Sequence, residues 1–87
     1  MDSYRIEWKR SAIKELKALP KEVVSIISQA VGELSMNPYP HGVKKLSGSE
    51  HTYRIRQGSY RVVFTVTKAT LVVEVVRIGH RKDVYDR

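Results

Sequence analysis

The sequence predicts an α+β fold in which a two-helix hairpin covers one face of an antiparallel sheet. Three observations predict it. Apolar and charged residues alternate at the start of the chain, apolar residues recur at helical spacing over residues 12–34, and alternation returns between short turns from residue 53 onwards. Because a chain of 87 residues can build one core, we expect a single domain over residues 1–87, with the element order β-α-α-β-β-β.

The first half of the chain predicts one strand and the two helices. Residues 4–8 alternate apolar and charged side chains, which is typical of a half-buried strand. Ser11 is a candidate N-cap for a first helix, which ends at Leu19 because the residue before a proline disfavours helical dihedral angles. Pro20 suits the first turn of a second helix, and the Asn-Pro pair at residues 37–38 stops it.

The second half predicts a loop followed by three strands. Residues 39–50 are rich in glycine and serine and include a proline, so we expect a loop there. Strands are predicted over residues 53–56, 60–67 and 70–78, and the short turns between them force antiparallel pairing. The last strand is apolar on both faces, which indicates burial on both sides, and Gly79 ends it. Three aromatic residues fall at inward positions and are interpreted as core: Tyr53, Tyr60 and Phe64.

Positive charge is concentrated in the second half. The chain has 16 basic and 9 acidic residues; residues 1–43 hold six basic and five acidic (6 − 5 = +1), and residues 44–87 hold ten and four (10 − 4 = +6). Such a surface attracts a polyanion, of which nucleic acid is the commonest in cells, and it would equally attract an acidic protein. With no cysteine, no signal-peptide pattern and no apolar run of membrane length, we expect a soluble cytoplasmic protein without membrane association.

Arginines on the predicted strands are candidate functional residues. Arg54 and Arg56 stand two apart, so both point to one face, about 6.8 Å from each other along the strand. Arg61 lies on the next strand after a short turn, and Arg77 and Arg81 flank the end of the last strand. The arginine fork donates two parallel hydrogen bonds to a phosphate and stays charged. Spacing alone leaves open the alternative of an ordinary solvated face.

Two residues near the C-terminus each have more than one interpretation. Tyr85 is either an anchor that buries its ring, a platform that stacks on a base, or a proton-transfer group. His80 is either a surface residue or a proton shuttle. The other histidines, His41 and His51, do not stand at metal-ligand spacing, so the sequence predicts neither a metal site nor a cofactor.

Several short segments in a fixed order carry a resemblance to a known family. They are AIKEL at residues 12–16, the Asn-Pro pair at 37–38, KLSG at 45–48, YRIR at 53–56, GSYRVVF at 58–64 and IGHRKDVY at 78–85. This set, which spans nearly the whole chain, resembles the RelE branch of the RelE/ParE toxin superfamily. The resemblance implies a compact fold like that of microbial ribonucleases and the role of a type II toxin that cuts messenger RNA in the ribosomal A site.

The resemblance also implies partners. A RelB-like antitoxin, usually encoded beside the toxin, would wrap around it and hold it inactive. That antitoxin also binds DNA in this family, so operator DNA would be a partner only through the complex. The ribosome and the messenger RNA in its A site would be the targets of the free toxin.

Site residues follow from the family's pattern, in which basic residues on the middle strands, an arginine after the last strand and a C-terminal tyrosine do the work. The matching positions are Arg54, Arg56, Arg61, Arg81 and Tyr85. The implied reaction is a metal-independent attack of a 2′-hydroxyl on the adjacent phosphate, whose developing charge the arginines offset. The proton acceptor stays open between Tyr85 and His80. Further basic residues are predicted to bind RNA: Lys44, Lys45, Arg77 and Lys82.

Two alternatives share the same fold, which does not by itself fix function. The first is a ParE-like inhibitor of DNA gyrase. The second is a catalytically inactive module in which the basic face only binds an acidic antitoxin.

Overall fold

Two helices pack on a five-stranded sheet in the computed structural model, which describes residues 3–80. In chain order the elements are β1 (Arg5–Trp8), α1 (Arg10–Lys17), α2 (Lys21–Glu33), β2 (Lys44–Lys45), β3 (Thr52–Gln57), β4 (Tyr60–Thr67) and β5 (Val72–His80). The strands form one sheet in the order β1-β5-β4-β3-β2. The predicted α+β class is therefore confirmed. No helix within residues 3–80 is long and apolar enough to cross a membrane.

The sheet is mixed, which differs from the wholly antiparallel sheet that we expected. β1 runs parallel to β5, with Arg5 opposite Val72 and Trp8 opposite Val75. The other neighbouring strands are antiparallel, as their short turns require. The turn argument constrains only strands that are adjacent along the chain. Because the helices and three strands lie between β1 and β5, nothing local fixes the relative direction of that pair.

The helix boundaries differ from the prediction at the start of each helix. α1 begins at Arg10 with Lys9 at its N-cap, so Ser11, our predicted cap, lies inside the helix. The reason is that the β1–β5 ladder continues to Lys9, whose N–H donates to the carbonyl of Val75 at 2.9 Å, and the chain turns directly into the helix. Pro20 takes the N-cap position of α2, one residue before the helix proper.

The main core lies between the helices and one face of the sheet. Its buried residues come from α1, α2 with the turn after it, and β3 to β5: Ala12, Ile27, Val31, Leu34, Ile55, Val62, Phe64, Val66, Val73, Val75 and Ile78. Phe64 is fully buried, while Tyr53 and Tyr60 pack against this cluster from its margin. All three predicted core aromatics therefore face the helices.

A two-residue strand interrupts the segment that we predicted to be a loop. In β2, Lys44 lies opposite Arg54 and Lys45 lies opposite Tyr53 of β3. The N–H of Leu46 then donates to the carbonyl of Thr52 at 2.9 Å, which continues the pairing by one bond. Alternation cannot be recognised over two residues, so the sequence pattern could not predict this strand.

A β-bulge divides β5 and changes which of its residues face the helices. Val63 of β4 pairs with Arg77 and Phe64 pairs with Val75, so Val76 is an extra residue without a counterpart on β4. Val75 and Ile78 both belong to the main core, although they are three residues apart. Val76 packs on the other face of the sheet, against a small cluster formed by Leu46 and Val63. The strand is fully buried on the helix side alone, because Val76 on the other face is half-buried and Arg77 is exposed, so the predicted burial on both sides is only partly met.

Both ends of β5 also differ from the prediction. The strand begins at Val72 rather than at Thr70, because Leu71 has a left-handed backbone with φ of 55° and still belongs to the turn. It runs on through Gly79, our predicted end, to His80.

An aromatic group lies at the end of the sheet where β4 finishes. The rings of Tyr39 and Tyr53 meet edge to face with centroids 5.2 Å apart, and Tyr53 stacks on Phe64 at 6.1 Å. The ammonium of Lys68 lies 5.4 Å from the centre of the Tyr39 ring. Burial, together with the neighbouring Tyr53 and Tyr4, raises the pKa of the Tyr39 hydroxyl above its usual value.

We expect the Tyr39 hydroxyl to make stability fall at alkaline pH. An unfolded tyrosine ionises near pH 10, whereas the folded Tyr39 holds its proton to higher pH, so its contribution is fully present below about pH 10 and is lost as the pH rises through the folded pKa. Urea unfolding of Tyr39→Phe should show a flatter alkaline decline in the free energy of unfolding than the parent protein. Parallel declines in both proteins would contradict this assignment.

Candidate functional site

Five positively charged side chains of the strands lie on the face of the sheet opposite the helices, here called the open face. Alternation from the core residues Ile55 and Val62 places their neighbours on β3 and β4 on this face. The register then aligns two cross-strand rows. The first row consists of Lys44, Arg54, Val63 and Arg77, and the second consists of Arg56, Arg61 and Gly79. We call the five cations of these rows the basic cluster: Lys44, Arg54, Arg56, Arg61 and Arg77.

The cross-strand pairing within the basic cluster places like charges side by side. Arg56 lies directly opposite Arg61, and Lys44 lies directly opposite Arg54. Directly opposed residues have Cβ atoms only about 5 Å apart, and like charges at that distance destabilise a sheet. An anion bound between them would relieve this repulsion. The arrangement makes this face a candidate surface for binding an anion such as phosphate.

The members of the basic cluster differ strongly in exposure. Arg54 is only 4% exposed, whereas Arg56 and Arg77 are exposed and Arg61 is intermediate. A buried guanidinium is held in few conformations and is screened by little water, so its attraction for a nearby phosphate is stronger than that of a surface cation. Arg54 thus provides a fixed charge at the base of the cluster, and the exposed arginines surround it.

A groove opens beside Arg54 where β2 meets β3. This cavity of about 300 Å³ is lined by His41, Gly42, Lys44, Arg54, Ile55 and Arg56. Gly42 has φ of 88°, a left-handed conformation that favours glycine, and it turns the chain into β2 directly after His41. No spacing along the chain associates His41 with the arginines, since only the pairing of β2 with β3 brings it to the groove.

Gly79 is the β5 member of the second row. It lies directly opposite Arg61 on β5 and presents no side chain to the open face. The guanidinium of Arg61 is therefore not covered from the β5 side by a neighbouring side chain of that row.

Two predicted site residues lie away from the basic cluster. His80 pairs with Tyr60, and their rings meet edge to face with centroids 5.7 Å apart. Because Tyr60 packs on the main core, strand alternation places His80 on the helix side of the sheet. Lys45 is opposite Tyr53 and likewise points away from the open face. The role of His80 as a proton shuttle stays a prediction.

The remaining predicted site residues follow His80 along the chain. Arg81, Lys82 and Tyr85 lie outside the described residues 3–80. Their roles stay predictions. Within the described part of the chain, no three histidine or carboxylate side chains are grouped so that they could hold a metal ion.

Comparison with known proteins gives the class to which this fold and basic surface belong. Residues 6–85 match the family described as the ParE toxin of type II toxin-antitoxin system, parDE. The chain is a toxin of the type II toxin–antitoxin class, and it belongs to this family.

Individual relatives place the chain in the RelE branch of the RelE/ParE superfamily. It is 31% identical over 86 residues to Toxin RelE3 of Methanocaldococcus jannaschii, covering 94% of this chain and 96% of the relative. It is 27% identical over 85 residues to Toxin RelG of Mycobacterium tuberculosis, covering 97% and 98%. The resemblance read from the sequence is thereby confirmed.

Solved structures agree with this placement. The archaeal RelE–RelB complex from Pyrococcus horikoshii OT3 contains a chain that matches with a TM-score of 0.81 and 28% identity, covering 93% of this chain and 98% of that one. The intact Escherichia coli RelBE toxin–antitoxin complex matches with a TM-score of 0.79 and 28% identity, covering 88% and 95%.

Proposed function

We propose that this toxin is a ribosome-dependent endoribonuclease that cuts messenger RNA in the A site. The observation that carries the proposal is the basic cluster, in which opposed cations on three adjacent strands surround the buried Arg54. The RelE names of the relatives support it. A surface of this kind attracts the RNA backbone, and its charges are in place before the reaction, so little reorganisation is needed when charge develops.

The chemistry that we propose is an in-line attack of an RNA 2′-hydroxyl on the adjacent phosphate. The new bond joins the 2′-oxygen to phosphorus, the bond from phosphorus to the 5′-oxygen breaks, and the products are a 2′,3′-cyclic phosphate and a 5′-hydroxyl. Arg54, Arg56 and Arg61 would stabilise the negative charge on the phosphoryl oxygens. Arginine is a poor proton acceptor or donor at neutral pH, so these three act by charge and geometry.

The proton transfers fall to residues near the end of β5. Tyr85, as its phenolate, would accept the proton of the 2′-hydroxyl, because His80 lies on the helix side of the sheet, away from the basic cluster. Arg81 would stabilise the leaving 5′-oxygen, which takes up a proton from water. With few good proton-transfer groups in the basic cluster, catalysis depends on holding the RNA in a reactive geometry, and the ribosome would supply that orientation. Lys44, Arg77 and Lys82 would contact the backbone on either side of the scissile phosphate. Lys45, which was also predicted to bind RNA, points away from the open face and is not included in this set.

A RelB-like antitoxin is the proposed regulatory partner. The solved relatives include RelE–RelB complexes from archaea and bacteria, which supports the same assembly here. We expect an acidic, largely disordered segment that folds on the toxin, and contact with operator DNA only through that complex. The proposed target places the free toxin in the cytoplasm.

Cleavage mapping in a purified translation system tests the proposed activity. Messenger RNA would be offered to the toxin both on programmed ribosomes and free in solution, alongside Arg81→Ala and a control, Lys17→Ala, which removes an exposed charge from α1. We expect cuts within A-site codons only when ribosomes are present, and we expect them to be lost in Arg81→Ala and retained in Lys17→Ala.

Other outcomes would direct attention to the alternatives. If wild-type toxin makes no cuts under either condition, the proposed activity is wrong, and DNA breaks linked to gyrase would then favour the ParE-like function. If neither activity is found while the antitoxin still binds, the basic cluster serves only as a docking surface.

A further inference from the structure

Within residues 3–80, no strand pairs with the second half of β5 on the side where β1 lies. β1 ends at Trp8, and the last bond of its ladder joins the N–H of Lys9 to the carbonyl of Val75 at 2.9 Å. On an extended strand, successive N–H groups point to opposite edges. Beyond Val75, every second N–H of β5 therefore points to an edge where β1 no longer runs.

The side chain of Glu15 in α1 lies at this edge and accepts a backbone hydrogen bond from β5. Its Oε1 atom accepts a hydrogen bond from the N–H of Ile78 at 2.7 Å, although 63 positions separate the two residues along the chain. The bond is partly buried, and α1 packs directly on β5. Hydrogen bonds to a carboxylate are about twice as strong as bonds between neutral groups. A side chain thus replaces the strand that is missing here.

The bond from Ile78 to Glu15 matters for the basic cluster because of where Ile78 lies in β5. Ile78 comes two residues after the bulged Val76, where the ladder with β4 is interrupted. It stands between Arg77, which belongs to the basic cluster, and Gly79, which lies directly opposite Arg61. A one-residue slip of β5 against β4 beyond the bulge would turn Arg77 to the helix side and Ile78 out of the core.

We propose that Glu15 is a positioning residue for the basic cluster, which it serves by fixing the register of bulged β5 through the backbone of Ile78. Its location on the helix side of the sheet keeps it away from RNA bound on the open face. The activity part of this proposal rests on the proposed function, whereas the register part does not.

Three variants of Glu15 separate the reach of the side chain from its charge. Glu15→Gln keeps an oxygen at the same distance and loses the charge, Glu15→Asp keeps the charge and is one methylene shorter, and Glu15→Ala removes the acceptor. Glu22→Ala is the matched control, because it removes the same charge from an exposed position on α2. If Glu15→Ala fails to fold, the comparison of Gln with Asp still decides the proposal.

Two measurements distinguish the variants: amide hydrogen exchange and A-site cleavage. Amide hydrogen exchange should be about tenfold faster at Ile78 in the Asp and Ala variants, and unchanged at Val73, in the paired part of β5. In A-site cleavage, kcat per folded molecule should fall about tenfold in those two variants with little change in KM, since the cations remain but are misplaced. Glu22→Ala should match the parent protein in both measurements, and Glu15→Gln, which keeps the acceptor oxygen without its charge, should lie between the parent and Glu15→Ala.

Distinct results would overturn the proposal. Unchanged exchange at Ile78 in Glu15→Asp and Glu15→Ala would show that the bond does not hold β5. A lower thermal stability with unchanged kcat per folded molecule would show that Glu15 serves the fold alone. If wild-type toxin does not cleave at all, the proposed function fails by itself, and the amide exchange together with the NMR shifts of Arg77 and Gly79 still test the register.

Discussion

Replacing Arg61 by alanine should lower the rate of A-site cleavage by about 10²- to 10³-fold, the usual cost of removing one donor from a preorganised charge-stabilising site. Arg61 is well placed for this role. It lies on β4, in the middle of the basic cluster, directly opposite Arg56 on one side and Gly79 on the other. Because it is only partly exposed, its charge is less screened than that of Arg56 or Arg77.

Single-turnover cleavage on programmed ribosomes would measure this effect. Arg61→Lys should give an intermediate rate, because lysine keeps the charge and loses the planar fork that binds two phosphate oxygens at once. Arg10→Ala is the control, since Arg10 is an exposed cation on α1, away from the open face. A rate within twofold of the parent for Arg61→Ala, with the variant shown to be folded by circular dichroism, would remove Arg61 from the proposed catalytic set.

The elements that local pattern determines were predicted well. β4 was predicted over residues 60–67 and is observed over the same residues, because its side chains alternate without interruption between two short turns. The shared face of Arg54 and Arg56 follows from the same period of two, and the structure places both on the open face. Arg61 lies next to these two arginines because the tight turn between β3 and β4 forces antiparallel pairing.

The parts that depend on distant contacts could not be predicted. The parallel pairing of β1 with β5 is set by packing across most of the chain. The bulge at Val76 matters more for the site: strict alternation from Val73 and Val75 would place Arg77 on the helix side, whereas the extra residue turns it to the open face. Nothing in the apolar pattern marks that position, since Val76 is as apolar as its neighbours.

The hydrogen-bond acceptor beside the bulge, Glu15, could not be predicted from the sequence either. Glu15 stands among lysines on a short amphipathic helix, where a carboxylate is ordinarily a surface residue. Only the three-dimensional arrangement brings it to the N–H of Ile78. Residues that satisfy irregular backbone are chosen by geometry, so spacing along the chain carries little information about them.

Replacing Phe64 by alanine should cost about 3–5 kcal/mol of folding free energy, because it empties a large, fully buried site in the middle of the sheet. Phe64 packs in the main core, stacks on Tyr53 and lies opposite Val75, where the bulge begins. A domain of this size has a total stability of only about 4–13 kcal/mol, so the loss removes a large part of it. The toxin would then lose activity through unfolding, with its cations intact.

Urea unfolding followed by circular dichroism would measure the cost, with Met36→Ala as the control, since Met36 is 62% exposed and its loss should change stability by no more than about 0.5 kcal/mol. Cleavage per folded molecule separates the two kinds of loss that we expect in this protein. Phe64→Ala should keep the rate of its folded fraction near that of the parent, whereas Arg61→Ala should stay folded and lose rate. If Phe64→Ala instead lost rate while remaining folded, the bulge beside it would depend on this ring as well as on Glu15.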